Sequence, residues 1–383
     1  MVMKSKQSLF WILVTVALVV RLLVAILPGR QLEPPWSGGG DSRYYATLAE
    51  NLLKGKGFTY AGHPTAFRPP VYPLFLALMM MLFGTYWALA TRLLQFFISL
   101  FTALIVARTA WEIFGEKAFK PSFLFCLYCP TLVYAIGQIG TETLSQALIA
   151  AGFYSFVRIL MATHNTEALR WASIAGCTVG VAALTRFSAP AVLLLGLYAT
   201  FVRRHWGSAA VLVTTFCLTL LPWLLRNRLA FGVWTYSTFN SSFNLVRGIL
   251  DPSGRSRGDR EVKMALGWTH QEYEQNKHER PFPSELVMDA QCRQVYAQLV
   301  REYSWRLVPL HLAKLSWFWL STDQLFDPGG RGLNGFIRRL MAFAWLLWLV
   351  MALALPLKAS VSPSHTVVGV SRHFSPFTFL YEQ

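Results

Sequence analysis

The feature that most constrains this chain is a series of apolar runs long enough to cross a bilayer as helices. The hydrocarbon core of a membrane requires about 20 apolar residues in a helix, and shorter spans are tolerated where helices pack inside protein. The sequence therefore predicts an all-α integral membrane protein with about eight transmembrane helices. The runs lie at residues 8–28, 86–108, 121–138, 143–162, 171–186, 188–203, 208–225 and 338–357.

The composition supports a membrane protein. Of the 383 residues, 54% are hydrophobic and 14% are charged, whereas soluble domains carry roughly 25% charged residues. The formal net charge of +16 has two interpretations: contact of basic residues with lipid head groups, or recognition of a substrate that carries phosphate. The long apolar runs argue against a nucleic-acid partner.

The basic residues of the short loops predict the orientation. They occur at every second end of the apolar runs, while the loop at 137–142 contains none, and such residues favour the cytoplasmic side. The N-terminus is therefore expected in the cytoplasm, with two long segments outside. The basic residues are Lys4, Lys6, Arg108, Lys117, Lys120, Arg158, Arg170, Arg203 and Arg204.

This topology divides the chain into three parts. Residues 1–225 form a transmembrane core that includes a first external loop at 29–73, residues 226–337 form a second external loop, and residues 338–383 form the last span and a tail. Apolar and polar residues segregate at helical spacing in 43–54, which predicts a helix in the plane of the membrane. Within the second loop, 284–304 is expected to be partly helical and 305–320 to be an interfacial helix.

Two acidic residues lie at the external ends of predicted helices. Asp41 precedes the helix at 43–54 and Glu142 precedes the span at 143–162. Either could serve as a helix N-cap, because carboxylate oxygens accept hydrogen bonds from unpaired backbone N–H groups. Asp41 could also act in catalysis by accepting a proton from a hydroxyl group, and Glu142 could belong to the same site, because an acidic residue beside a membrane helix is a functional hypothesis by default. The two roles are compatible.

Three arginines lie at external ends of predicted helices: Arg68, Arg186 and Arg226. Arginine at such positions often extends to lipid head groups. Its planar guanidinium also binds two phosphate oxygens at once, so these residues are candidates for binding a lipid phosphate, with Arg226 the first choice.

The order of motifs over roughly residues 1–250 resembles the GT-C glycosyltransferases. It is most similar to the bacterial branch related to dolichyl-phosphate-mannose protein mannosyltransferases and the RgtA/B/C/D-like enzymes. The motifs are Asp41-x-x-Tyr44-Tyr45, Ala49-Glu50-Asn51, Gly55-x-Gly57-Phe58, Arg68-Pro69-Pro70-x-Tyr72-Pro73, Phe83-Gly84, Thr141-Glu142, Leu184-Thr185-Arg186 and Pro222-Trp223-x-x-Arg226-Asn227 followed by Gly232.

The resemblance implies a GT-C type multi-helix bundle whose site faces the periplasm or its equivalent. It implies an inverting transfer from a polyprenyl-phosphate sugar to a protein, lipid or glycan acceptor, with Asp41 as catalytic base and Glu142 as a second acidic residue. Substrate-binding roles then fall to Arg68, Tyr72, Arg186, Arg226 and Asn227. No obligatory metal or other cofactor is expected, although His63 with Asp41 or Glu142 leaves a divalent ion open.

Other functions compete with this interpretation. A multi-spanning lipid or solute transporter would place charges midway through the bilayer and would contain inverted pairs of broken helices. Arg21 is the clearest charge within a span, and the sequence indicates no such pair. A polysaccharide polymerase or ligase and a non-catalytic scaffold are further alternatives. Family members continue through further spans, so a short or a truncated member is expected.

Overall fold

The computed structural model describes residues 2–32, 41–187, 189–236, 240–250, 258–267, 285–310 and 312. The regular secondary structure of the described chain is helical apart from one hairpin of two-residue antiparallel strands, β1 (Thr59–Tyr60) and β2 (His63–Pro64), so the expected all-α class is confirmed for this part. The helices are α1 (Val2–Ile26), α2 (Ser42–Leu53), α3 (Val71–Phe83), α4 (Trp87–Phe114), α5 (Phe119–Leu127), α6 (Pro130–Gly137), α7 (Glu142–Met161), α8 (Asn165–Ala183), α9 (Leu193–Val202), α10 (Trp206–Phe231), α11 (Asn240–Leu250), α12 (Gly258–Ala265) and α13 (Glu285–Tyr303).

Four helical stretches among the described residues are long and apolar enough to cross a membrane, and α5 with α6 forms a fifth if this pair, bent by 49°, is one span. Residues 189–202 form a shorter apolar helix. The expected number of about eight spans stays a prediction, and the run at 338–357 lies outside the described residues. The four stretches are Gln7–Ile26, Val71–Phe114, Glu142–Met161 and Trp206–Phe231.

The stretch Val71–Phe114 contains two helices, α3 and α4, and the start of α3 lies beside the first half of α4. The Tyr72 hydroxyl donates a hydrogen bond to Gln95 Oε1 over 3.0 Å, whereas 23 residues of continuous helix would separate them by about 34 Å. Helix α3 therefore folds back along the first half of α4. With 13 residues it extends about 20 Å, which is too short to span. The sequence analysis placed a span at 86–108 but did not recognise α3.

Several helices present apolar side chains on the outside of the described bundle. Trp11, Ile12 and Val19 on α1 and Phe97 and Phe101 on α4 are among the exposed large residues. Soluble monomers rarely expose apolar surface of this extent. A lipid environment accommodates it, because the backbone groups of a helix are hydrogen-bonded within the helix. The described chain is therefore a multi-pass membrane protein.

Helices α8 and α10 pack closely because small residues line their contact. A Cβ atom at Gly176 would overlap Thr215 Oγ1, and one at Gly180 would lie 2.7 Å from Thr219 Cβ. Such G-x-x-x-G spacing lets helix backbones approach inside membranes, where close packing replaces the hydrophobic effect.

The break between α5 and α6 is held by a buried arginine. Arg21 on α1 is fully buried and donates hydrogen bonds to the backbone carbonyls of Leu127 over 3.0 Å and Cys126 over 2.7 Å. Carbonyl groups at the end of a helix lack helical partners, so the guanidinium satisfies groups that the break leaves open. Ser99 Oγ accepts a third bond over 2.8 Å.

A second buried arginine, Arg92 on α4, joins the end of α1 to the end of α6. It donates to the carbonyl of Gly137 over 2.8 Å and to those of Gly29, Gln31 and Leu32 over 3.2, 2.7 and 3.1 Å. The sequence analysis did not recognise this second charge within a span. Both arginines are bound to backbone carbonyls.

The helices of the two long polar segments pack on the apolar helices. Helix α2 occupies the predicted position and buries Tyr45, Leu48 and Ala49 while Arg43 and Glu50 stay exposed. Helix α13 coincides with the expected helix at 284–304. Residues Val262, Met288 and Cys292 of α12 and α13 share one apolar cluster with α2, α8 and α10, so α12 and α13 pack against the earlier part of the chain. The predicted interfacial helix at 305–320 lies mostly outside the described residues.

Candidate functional site

Asp41 and Arg68 form an ion pair at the start of α2. Arg68 Nη2 donates to Asp41 Oδ1, and 52% of the Asp41 side chain is exposed. The Asp41 backbone carbonyl accepts the first helical bond from Tyr45 N over 3.0 Å, but its carboxylate makes no capping hydrogen bond. The capping interpretation therefore does not explain the acidic side chain, which is engaged by an arginine 27 residues later.

Glu142 and Arg186 form a second ion pair. Arg186 Nη1 lies 2.9 Å from Glu142 Oε1, and the side chains are 51% and 45% exposed. Glu142 is the first residue of α7, where Thr141 makes no side-chain capping bond, and Arg186 follows the end of α8. Two carboxylates and two guanidinium groups that the sequence predicted as site residues are thus brought together in pairs, and all four groups have exposed surface.

Tyr45 connects the two ion pairs. It is buried against Tyr72, with ring centroids 5.2 Å apart, and the Arg68 guanidinium carbon lies 5.8 Å from its ring centroid. Burial raises the pKa of Tyr45 to about 12; Arg68 opposes the rise, while the Asp41 and Glu142 carboxylates reinforce it. All three charged groups therefore lie within electrostatic range of one phenol, which stays protonated at neutral pH.

Backbone contacts fix the segments that carry these side chains. Val71 N donates to the carbonyl of Leu184 over 3.1 Å, which joins the segment of Arg68 to that of Arg186. The Gln95 side-chain amide donates to the Gln138 carbonyl over 2.7 Å while its oxygen accepts from the Tyr72 hydroxyl. Tyr72 is fully buried, so the structure places it beneath the exposed pairs rather than among them.

Arg226 and Asn227 lie near the end of α10 and are bound to backbone groups. Arg226 donates to the carbonyls of Phe58 over 2.7 Å and Thr65 over 2.8 Å, and to Asn227 Oδ1 over 3.0 Å. Asn227 is fully buried and donates to the Thr235 carbonyl over 2.7 Å. Both residues hold the β1–β2 hairpin and the chain after α10, and Arg226 contacts the backbone three residues before Arg68.

Glu285, the first residue of α13, contacts the same segment, and the sequence analysis did not identify it. Its carboxylate accepts hydrogen bonds from Thr65 Oγ1 over 2.5 Å and from Ala66 N over 2.7 Å. It is 7% exposed. No local pattern around residue 285 indicates this role, because its partners are 219 and 220 residues away.

The described residues contain no group of three or more His, Cys, Asp or Glu side chains that could hold a metal ion. His63 is exposed in β2. The expectation that no metal is obligatory stays a prediction.

Comparison with known proteins yields a match to one family model over part of the chain and a shared fold. Residues 67–225 match the model of the family described as dolichyl-phosphate-mannose-protein mannosyltransferase. Among solved structures, apo ArnT from Cupriavidus metallidurans is 17% identical, with a TM-score of 0.50 over 92% of this chain and 72% of that chain. ArnT from the same organism bound to undecaprenyl phosphate gives a TM-score of 0.49 at 17% identity, over 91% and 71% of the two chains.

No curated protein sequence matches the chain significantly. The family match covers the segments of Arg68, Glu142 and Arg186, while Asp41, Arg226 and Glu285 lie outside its bounds. Together, the match and the shared fold confirm the expected resemblance: this multi-pass membrane protein is similar to the dolichyl-phosphate-mannose-protein mannosyltransferases over residues 67–225 and shares the fold of ArnT.

Proposed function

We propose that this protein is a membrane glycosyltransferase that moves a sugar, with inversion, from a polyprenyl-phosphate donor to a protein, lipid or glycan acceptor. The observation that carries the proposal is the pairing of two exposed carboxylates with two guanidinium groups around Tyr45. The dolichyl-phosphate-linked donor in the matching family's description supports the donor class, because dolichyl phosphate is a polyprenyl phosphate.

Asp41 is the proposed catalytic base. As an acceptor hydroxyl oxygen bonds to the anomeric carbon, the carboxylate takes its proton, and the bond between that carbon and the phosphate oxygen breaks. The products are the glycosylated acceptor and polyprenyl phosphate. The exposure of Asp41 gives an acceptor access to the carboxylate while Arg68 binds one of its oxygens.

Arg68 and Arg186 are the proposed ligands of the departing phosphate. Negative charge grows on the phosphate as the bond breaks, and pre-positioned cations stabilise that charge. Within the part of the chain that the structure describes, Arg68 Nε is buried without a hydrogen-bond partner, and Arg186 is half exposed. Glu142 is proposed to orient Arg186 and the acceptor.

Tyr72, Arg226 and Asn227 are proposed to support the site rather than to touch the sugar. Tyr72 and Asn227 are fully buried, and Arg226 donates three hydrogen bonds within the protein. The expectation that Arg226 binds the lipid phosphate directly stays a prediction.

The site is proposed to lie on the external face, with the N-terminus in the cytoplasm. Arg158, in the last turn of α7, forms ion pairs with Glu112 and Glu167 over 3.4 and 2.7 Å. Sixteen helical residues separate Arg158 from Glu142, or about 24 Å, so the two charged groups occupy opposite ends of one span. The basic loops support a cytoplasmic position for the Arg158 end of this span. Lipid head groups are the proposed partners of the basic residues in these loops.

The test of this proposal is a transfer assay in proteoliposomes. We expect the purified protein to release polyprenyl phosphate from polyprenyl-phosphate mannose or a panel of related sugar lipids when a membrane extract supplies the acceptor. A transporter would carry the intact sugar lipid across the bilayer instead. Movement of the label without cleavage of the sugar–phosphate bond would contradict the proposal.

Gly140 provides a separate test of the Glu142–Arg186 pair. A Cβ atom at residue 140 would overlap Glu142 Oε2, so Gly140→Ala is expected to displace the carboxylate and to lower transfer by roughly tenfold or more. Gly207→Ala is the control, because its added Cβ lies 3.8 Å from Leu169 Cδ2. Equal rates in both variants would show that the position of Glu142 does not matter.

A further inference from the structure

Thr65 and Ala66 are held by two opposite charges. On one side, the Glu285 carboxylate accepts from Thr65 Oγ1 over 2.5 Å and Ala66 N over 2.7 Å. On the other side, Arg226 Nη1 donates to the Thr65 carbonyl over 2.8 Å. Glu285 and Arg226 lie within electrostatic range of each other, so each charge compensates the other across the backbone.

This arrangement is buried, which makes it costly to disturb. Thr65 and Ala66 are fully buried and Glu285 is 7% exposed. A buried backbone N–H that loses its acceptor costs about 1–3 kcal/mol, and a buried charge without its partner costs more.

The clamped segment leads directly to the proposed phosphate ligand. Arg68 follows Ala66 by two residues, and its guanidinium carbon lies 5.3 Å from the ring of Phe67. Thr65 Oγ1 also bonds to the Tyr44 hydroxyl over 3.1 Å and accepts from Phe67 N over 3.1 Å. Tyr44 belongs to α2, which Asp41 precedes, so Thr65 is connected to both members of the Asp41–Arg68 pair.

We propose that Glu285 is a positioning residue that holds Thr65 and Ala66 in place, so that docking of α13 sets the position of Arg68 against Asp41. This inference rests on the proposed glycosyltransferase function. Glu285 comes from the second external loop and touches neither Asp41 nor Arg68 in any described contact; it acts through the backbone of the first external loop.

The first test is Glu285→Gln, which keeps the size of the side chain but removes its charge. We expect kcat for sugar transfer to fall by about 10- to 100-fold, the loss that a displacement of about 1 Å can cause. Glu302→Gln is the matched control, because Glu302 is exposed on the same helix. Unchanged kcat in Glu285→Gln, or an equal loss in the control, would overturn the proposal.

A double-mutant cycle separates positioning from general destabilisation. If Glu285 acts through Arg68, then Glu285→Gln should cost much less in an Arg68→Lys background than in the wild type. If the fold losses of kcat in the two single variants multiply to give the loss in the double variant, Glu285 does not act through Arg68, and the inference is contradicted.

Thr65 offers a second route if Glu285→Gln does not fold. Thr65→Val removes the hydroxyl that bonds to Glu285, whereas Thr65→Ser keeps it. We expect the valine variant to reproduce the loss of kcat and the serine variant to retain most of the wild-type value. Equal activity in the two variants would count against the clamp.

Hydrogen exchange of residues 58–68 tests the contact without any transfer assay. Glu285→Gln should raise the exchange of this segment, including the Ala66 amide, and leave the amides of α7 unchanged. If Glu285→Gln raises the exchange of this segment but the wild-type protein transfers no sugar, the proposed function is contradicted while the contact between Glu285 and the segment is supported. Unchanged exchange would overturn the contact itself.

Discussion

Replacing Asp41 with asparagine is expected to lower the rate of sugar transfer by about 10²- to 10⁴-fold, the range that a general base contributes. Asparagine occupies the same volume but cannot accept the proton of an acceptor hydroxyl. Folding should be little affected, because the Asp41 carboxylate is half exposed and its ion pair with Arg68 is partly hydrated, a setting in which ion pairs contribute at most about 1 kcal/mol.

The control for Asp41 lies on α2, the helix that Asp41 precedes. Glu50 on α2 is exposed and pairs with Lys54 over 3.1 Å, so Glu50→Gln removes a carboxylate nearby without touching the proposed site. Transfer by proteoliposomes and yield after size-exclusion chromatography measure the two effects. Full activity in Asp41→Asn would require a different catalytic base.

Replacing Arg92 with methionine is expected to cause the largest loss of stability, about 1–3 kcal/mol for each buried carbonyl that loses its donor. Methionine fills much of the same space but leaves the carbonyls of Gly29, Gln31, Leu32 and Gly137 without their donor. Gly137 is buried whereas Gln31 is exposed, so the loss is expected mainly from the carbonyls that water does not reach.

Arg108→Met is the matched control for Arg92, because Arg108 lies on the same helix, is 42% exposed and pairs with Glu112 over 2.7 Å. We expect thermal unfolding in detergent to shift strongly for Arg92→Met and little for Arg108→Met. A small shift in both variants would show that water or lipid replaces the guanidinium. The Arg92 variant should also lose transfer activity, because Gly29–Leu32 and Gly137 lead towards Asp41 and Glu142.

Local patterns in the sequence predicted the positions of helices and the charged candidate site residues better than they predicted the tertiary contacts of those residues. Apolar runs and the amphipathic spacing of 43–54 depend only on neighbours along the chain, and α2, α7 and α10 lie where those patterns place them. Helix α3 was missed because its 13 residues are too few to span, and its partner, Gln95 on α4, is defined only by folding back.

The capping interpretation of Asp41 and Glu142 was reasonable locally but incomplete. Whether an acidic residue at the start of a helix caps that helix depends on the partners that the fold brings to its carboxylate. Here those partners are Arg68 and Arg186, which are 27 and 44 residues away. The roles of Arg92 and Glu285 could not be predicted from the sequence for the same reason. Each binds backbone atoms of distant segments, and no sequence motif indicates such a contact.

The broken helix α5–α6 and buried Arg21 are features that a transporter would also have. In this structure the three described hydrogen bonds of Arg21 go to Cys126, Leu127 and Ser99, which makes it a fixed part of the bundle. A charge that moved during transport would have to break all three bonds inside the membrane.

The contact between Glu285 and Thr65 also affects how the protein is made. A ribosome adds about 5–20 residues per second, so the 220 residues between these partners take roughly 10–40 s to synthesise. During that interval the early helices can enter the bilayer while the residue that binds Thr65 and Ala66 does not yet exist. A nascent chain therefore carries Asp41 and Arg68 well before Glu285 is available, and under the proposed function sugar transfer is expected to begin only after α13 has docked.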